Sequence, residues 1–174
     1  MISLLRFVGV LNASVWFGAA IFFTIAVGPA FFTSEMTQLL GKPRAGAAAQ
    51  LILGRYFALH FWCGLIALGH LMLGWLYSGK PAERWLLSIV TAGIILGSLG
   101  GGWLLPKMSQ LHAAKYNLRS TPAMREASGR SFRAWHGVSQ GINLFALIGL
   151  GCYFWRIMNP PDAPFFVSAN KFRS

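Results

Sequence analysis

The sequence predicts an all-α integral membrane protein, a four-helix bundle with a short interfacial helix, and three observations carry that prediction. Of its 174 residues 55% are hydrophobic and 11% charged, and the mean hydropathy of +0.54 is too apolar for a water-exposed domain of this size. Four windows carry no charge at all: residues 7–34, 56–79, 85–106 and 134–155, of 28, 24, 22 and 22 residues. At ~1.5 Å per helical residue each can cross a hydrocarbon core of ~30 Å. Every charged residue falls outside or at the edge of these windows. One domain over residues 1–158 follows, with spans at about 7–30, 55–78, 85–105 and 134–156, then an extended, Pro-rich tail at 159–174.

Fifteen Lys and Arg stand against four Asp and Glu, a net charge of +11. In a membrane chain this balance reads as topology and contact with the lipid bilayer, not as nucleic-acid binding. Four spans put the connections at 35–55 and 107–133 on one side, where nine basic residues lie. The termini and the turn at 80–84 are opposite, with six. That bias places both termini outside, in a bacterial inner membrane. Cys63 and Cys152 lie inside different spans, which argues against a structural disulfide. The first window is too long for a cleaved signal and lacks a small-residue cleavage site, so it reads as a retained span.

In helix 1, Asn12, Trp16 and Ala19 follow one another at i, i+4, i+7, with Gly18 and Ala20 adjacent, which predicts a close helix contact bonded by Asn12. Gly28-Pro29 predicts a kink or an end. Thr33-Ser34-Glu35 has the form of a helix start, so a short surface helix should run to Leu40 and stop at Gly41. Pro43 suits the first turn of helix 2, which nothing breaks for about 35 residues. Helix 2 carries His60 and His70, too far apart on one helix to share a metal. In helix 3, Gly93, Gly97 and Gly101 form a ridge at steps of four that lets another backbone approach closely, which reads as helix packing, with a membrane-protein partner as the alternative. Met108 and Leu111 then suggest an interfacial helix within the polar segment 107–133.

Helix 4 holds the most pointed pattern. His136, Gln140 and Asn143 fall at i, i+4, i+7, one face of a helix inside a bilayer that cannot satisfy them. That face should look inward. His60 and His136 enter from the same side and are expected at similar shallow depths, where they can face each other. Asn12 and His70 are expected nearer the opposite surface.

The stretches SVWFGAAIFFTIAVGPAFF, GRYFALHF, GGWLLPKMSQLHAA and FRAWHGVSQGINL make the chain resemble the transmembrane protein 205-like family, catalogued as domain of unknown function 4149. Trp16, Gly18, Tyr56, Phe57, Pro106, His136, Gly137 and Asn143 match that pattern. The eukaryotic members carry a histidine nearer the Tyr-Phe pair, where this chain has Ala58, and a longer loop after helix 3. The resemblance implies a small four-helix membrane protein and no agreed activity. The tryptophan-glycine pattern of helix 1 is more remotely similar to the copper-resistance D group and to haem-binding membrane protoporphyrinogen oxidases. The latter place a histidine in helix 1, where this chain has Gly9 or Asn12.

Three functions are read from these residues. The first is a binding protein, not an enzyme, that holds or passes a small ligand or metal through the inward face, with His136, Gln140, Asn143 and Asn12 as its lining. The second is a haem b redox protein with His60 and His136 as axial ligands and His70 as a further metal-binding histidine. The third is a structural subunit of a larger complex, packed through the glycine ridge. Hydrolytic chemistry has no support, because no acid lies inside a span and no Ser or Cys stands near a His in a nucleophile arrangement.

Overall fold

The computed structural model describes residues 2–79 and 81–160, so most of the predicted tail lies outside the described residues. The first apolar window folds as α1 (Ser3–Ala30). Its inward row is Gly9, Ala13, Trp16 and Ala20, spaced by fours and threes and buried throughout. Gly18, expected at a helix contact, is exposed and has no neighbour where a side chain would go. Near the end of α1 the segment Phe23–Val27 winds as a π-helical turn, in which the Gly28 N–H donates to the carbonyl of Phe23. Pro29 is the reason: its ring clashes with the carbonyl four residues back, and a wider turn clears it. The kink expected at Gly28-Pro29 therefore takes the form of an unwound turn just before the helix ends.

The short helix α2 (Ser34–Leu40) begins as the sequence predicts, with Thr33 Oγ1 accepting the Met36 N–H at 3.3 Å and Gly41 stopping it at φ 75°. Glu35 sits in its first turn, where backbone hydrogen bonding and then the Ser34 and Thr33 hydroxyls hold its carboxyl below the usual range. Helix α3 (Lys42–Ser78) starts with Pro43 in its first turn and runs 37 residues. It closes on Gly79 at φ 66°, a left-handed cap that favours glycine. Helix α4 (Arg84–Tyr116) also carries a π-helical turn, Gly100–Leu104, directly before Pro106, for the same steric reason. Helix α5 (Pro122–Met158) starts with Thr121 Oγ1 accepting the Met124 N–H and Pro122 in the first turn.

All four long helices are long and apolar enough to cross a membrane, and the chain is an integral membrane protein. At ~1.5 Å per residue α3 and α5 are each about 55 Å long, almost twice a hydrocarbon core. The excess forms a stalk. The start of α3, the end of α4 and the start of α5 pack together beyond the apolar windows: His112 seats in the notch left by Gly46, and Met108 is buried. The first part of the polar segment is helical, as the sequence suggests, but Leu105–Tyr116 runs on from the π-helical turn as the end of α4. What changes is the second part, where α5 begins at Pro122 and not near residue 134.

The glycine ridge of α4 is spent inside the bundle. A Cβ on Gly97 would lie 3.0 Å from the backbone nitrogen of Phe61, and one on Gly101 3.4 Å from Phe57 Cβ. A Cβ on Gly93 would lie 2.6 Å from Trp16 Cζ2. Gly93, Gly97 and Gly101 thus admit α3 and the Trp16 ring, which is the helix packing the spacing predicts, and the alternative use as a contact for another protein is set aside. α1 packs along α3 and α5. The main contact between α4 and α5 lies in the stalk, whereas the first part of α4, Arg84–Leu99, meets α5 only over a short stretch. The large apolar side chains beside that seam, Phe145 and Ile148 on α5 and Ile95 and Leu99 on α4, are exposed and face the lipid.

Candidate functional site: a polar seam inside the bundle

One side of α3 carries Tyr56, His60, Cys63, Ala67, His70 and Gly74, at steps of four and three in alternation. That is the spacing of a helix seam packed against neighbours, and polar groups occupy four of its six positions. Lipid supplies them no partner, so each is satisfied only where another helix provides one, and His70 Nδ1 is buried without a partner among the described residues.

Tyr56 donates its hydroxyl to Asn143 Oδ1 at 3.2 Å, and Asn143 Nδ2 donates to Thr24 Oγ1 at 2.8 Å. This node ties α3, α5 and α1 together. It depends on the π-helical turn, whose extra residue lets Phe23 stack on Tyr56 at 4.3 Å between ring centroids while its neighbour Thr24 reaches Asn143. One turn deeper, Trp16 Nε1 donates to His60 Nδ1 at 2.9 Å. His60 is 4% exposed and Trp16 1%. Beyond them Asn12, also buried, donates from Nδ2 to the Cys63 carbonyl at 3.0 Å. The ring of Tyr153 on α5 meets that of Trp16 edge-on at 5.9 Å, and the fully buried Tyr153 hydroxyl has no hydrogen-bond partner among the described residues. His70 completes the seam with its imidazole laid against Gly9 of α1.

His60 also lines a cavity of about 280 Å³ between α4 and α5, whose other lining residues include Ala92, Gly93, Ile142, Phe145 and Ala146. The lining is otherwise apolar. A Cβ on Gly93 would lie 3.9 Å from His60 Nε2, which places this nitrogen at the cavity wall. Indole N–H only donates, so the bond from Trp16 requires His60 Nδ1 to be an acceptor. A neutral ring then carries its proton on Nε2, and the cavity is offered a single N–H donor.

Of the residues singled out from the sequence, Asn12, His60, His70 and Asn143 join the seam. Gln140 is exposed, and His136 stands apart, between Phe32 at 6.2 Å and Phe132 at 6.0 Å. The face of α5 is therefore not inward as a whole. Nor are His60 and His136 matched in depth. Tyr56 meets Asn143, which fixes the level of α3 against α5. His60 lies four residues past Tyr56 and His136 seven before Asn143, so the two are offset along the bundle by about 16 Å at ~1.5 Å per residue.

That offset removes the pair as axial ligands of one haem, which need two nitrogens facing each other across a single iron. The hydrogen bond from Trp16 adds a chemical objection. A metal on Nε2 would need that lone pair and would move the ring proton to Nδ1, against the indole N–H. The residues present do not fit a bis-histidine haem. Among the described residues no three His, Cys, Asp or Glu side chains come together to hold a metal, and Cys63 and Cys152 are both free thiols.

Thr24 and Tyr153 are the site residues that sequence reading missed, Tyr56 was seen only as part of a motif, and Trp16 was seen as a helix-contact and motif residue without its bond to His60. The alternation 56, 60, 63, 67, 70, 74 was the available signal for the seam. Nothing in the sequence pointed to Thr24, whose inward position depends on a π-helical turn.

A family model described as domain of unknown function (DUF4149) matches residues 11–117. A protein of Aquifex aeolicus (strain VF5), described as uncharacterized, is 29% identical over 135 residues, 78% of this chain and 83% of its own length. No solved structure matches the chain. The matched residues hold Asn12, Trp16, Thr24, Tyr56, His60 and the glycine ridge, and Asn143 and Tyr153 lie beyond them.

Proposed function

This chain belongs to the family described as domain of unknown function (DUF4149), and we propose that it holds a small, neutral, lipophilic molecule in the cavity between α4 and α5. The observation that carries this reading is the Trp16–His60 hydrogen bond, which turns a buried histidine into a one-sided donor at an apolar wall. An apolar pocket with one fixed polar group orients a ligand through a single acceptor atom such as a carbonyl oxygen. A charged ligand would find no counter-charge there. Entry is lateral, from lipid, where the sparse contact of Arg84–Leu99 with α5 leaves the cavity open. The protein sits in a bacterial inner membrane with both termini outside, as the basic residues around the stalk favour.

The test is photolabelling of the purified chain with an alkyl benzophenone, which is neutral and lipophilic and carries one carbonyl acceptor. Label should concentrate on residues of α4 and α5 that line the cavity, fall about tenfold in His60→Leu for a lost buried hydrogen bond, and disappear in Ala146→Leu, which fills the space. Label spread evenly over lipid-facing residues and unchanged by Ala146→Leu would end this reading.

A further inference from the structure

At the end of the bundle opposite the stalk, a cleft of about 380 Å³ opens among the start of α1, the end of α3, the turn before α4 and the end of α5. Two arginines line it, and they are in different states. Arg156 is committed: its Nε and Nη2 donate to the two carboxylate oxygens of Glu83, and its Nη1 donates to the Asn159 carbonyl at 2.9 Å. Glu83 also accepts from Trp85 Nε1 at 2.6 Å, so its charge is fully used. Arg6 has no such partner among the described residues. The acids among the described residues are Glu35, Glu83 and Glu126, and both Glu35 and Glu126 belong to the stalk side.

Among the described residues, therefore, no acid offsets the positive charge that Arg6 brings to the cleft. Beneath it the walls are apolar, with Leu71 and Leu86 buried, and Trp75 stands half-exposed beside them. A cation above apolar walls at the end of a membrane span matches a molecule with an anionic head and an apolar body. A neutral lipid would leave Arg6 unused, and a small free anion would leave the walls unfilled. We infer that this cleft binds the phosphate of an acidic phospholipid, with Arg6 as the contact to the head group and the walls formed by Leu71 and Leu86 receiving the start of the tails. Glu83 sets the strength of the site, because it holds Arg156 away from the same anion. This inference is independent of the ligand proposed for the His60 cavity, whose lining shares no residue with the cleft.

Native mass spectrometry of the full chain in neutral detergent, titrated with phosphatidylglycerol or phosphatidylcholine, tests it. Phosphatidylglycerol should be retained about tenfold better than phosphatidylcholine, and Arg6→Gln should abolish that preference, the change expected for one charge-assisted hydrogen bond. Glu83→Gln should raise retention by releasing Arg156, a gain that a damaged fold cannot produce. Retention that is unchanged in Arg6→Gln, that falls in Glu83→Gln, or that is equal for the two lipids would overturn the inference. So would displacement of the lipid by inorganic phosphate at matching concentration, since the site would then be one for a free anion. Benzophenone labelling in the His60 cavity should be the same in both variants, so failure of one site is distinguishable from failure of the other.

Discussion

Adding one methyl group to Gly97 probes whether the glycine ridge is the inside of this bundle. The new Cβ would lie 3.0 Å from the Phe61 backbone nitrogen, 3.2 Å from its Cα and 3.3 Å from its Cβ. Backbone in the middle of a 37-residue helix cannot turn aside as a side chain can, so α3 and α4 must separate. Overpacking of this kind costs about 1–3 kcal/mol. The control is Gly141→Ala on α5, where the position is exposed and a Cβ meets nothing within 4 Å. There helix propensity alone acts, and Ala should be neutral or stabilising by up to ~1 kcal/mol. The same propensity gain applies at Gly97, so unfolding of the two variants by sodium dodecyl sulfate titration in mixed micelles, followed by circular dichroism, should separate them by about 1–3 kcal/mol. Equal stability would refute the internal packing of the ridge and return it to the surface as a contact for another protein.

Asn143→Leu should lower stability by about 0.6–1.7 kcal/mol in the same assay, the range for hydrogen bonds between membrane helices, whereas Gln140→Leu should be close to neutral. A cycle of Trp16→Phe and His60→Leu should show a coupling within that range, and strict additivity would mean that the bond between them stabilises nothing. A lipid-soluble maleimide should modify Cys152, which is exposed, and spare the buried Cys63 until the protein unfolds. Hydrogen bonding from Arg156 is the main reason the Glu83 carboxyl lies below its ordinary value of 4.5. A lowered folded value means that the Glu83–Arg156 tie contributes stability above about pH 4.5 and loses it as the pH falls through the lowered value. Unfolding measured at descending pH should show this loss in the native chain and not in Glu83→Gln.

Much of the fold was legible because the bilayer demands long uncharged runs, and local chemistry marks their ends. Thr33, Gly41 and Pro43 were each read correctly as cap, stop and first turn. The same logic applied to Thr121-Pro122 would have found the true start of α5. It was overlooked because the charges of residues 107–133 read as a loop, although a water-exposed stalk needs such charges. Pro106 looked like an end for the opposite reason: a π-helical turn absorbs its ring, and no residue pattern announces that turn. The site was less legible. Periodicity ranked the face of α5 by its polar residues, but which of them points inward depends on how α5 rotates against α1 and α3. Asn143 turns in and Gln140 does not.

The histidines show why residue type alone misled. Four histidines in a small membrane protein suggest ligands, yet three of them are held by packing that gives each ring a neighbour: Gly9 for His70, Gly46 for His112, and the two phenylalanines for His136. Among the described residues only His60 is held by a hydrogen bond, and the donor is a tryptophan that can never accept. The bond therefore decides which nitrogen of His60 carries the proton, and with it the kind of molecule the cavity can recognise. Seen this way, Trp16 is as much a part of the site as His60. It packs against Gly93, orients the imidazole and closes the metal-binding option at one position. Replacing it with phenylalanine would keep most of the ring contact and free Nδ1, so that Nε2 could give up its proton and accept. The selectivity of the cavity for acceptor ligands would then be lost before the fold is.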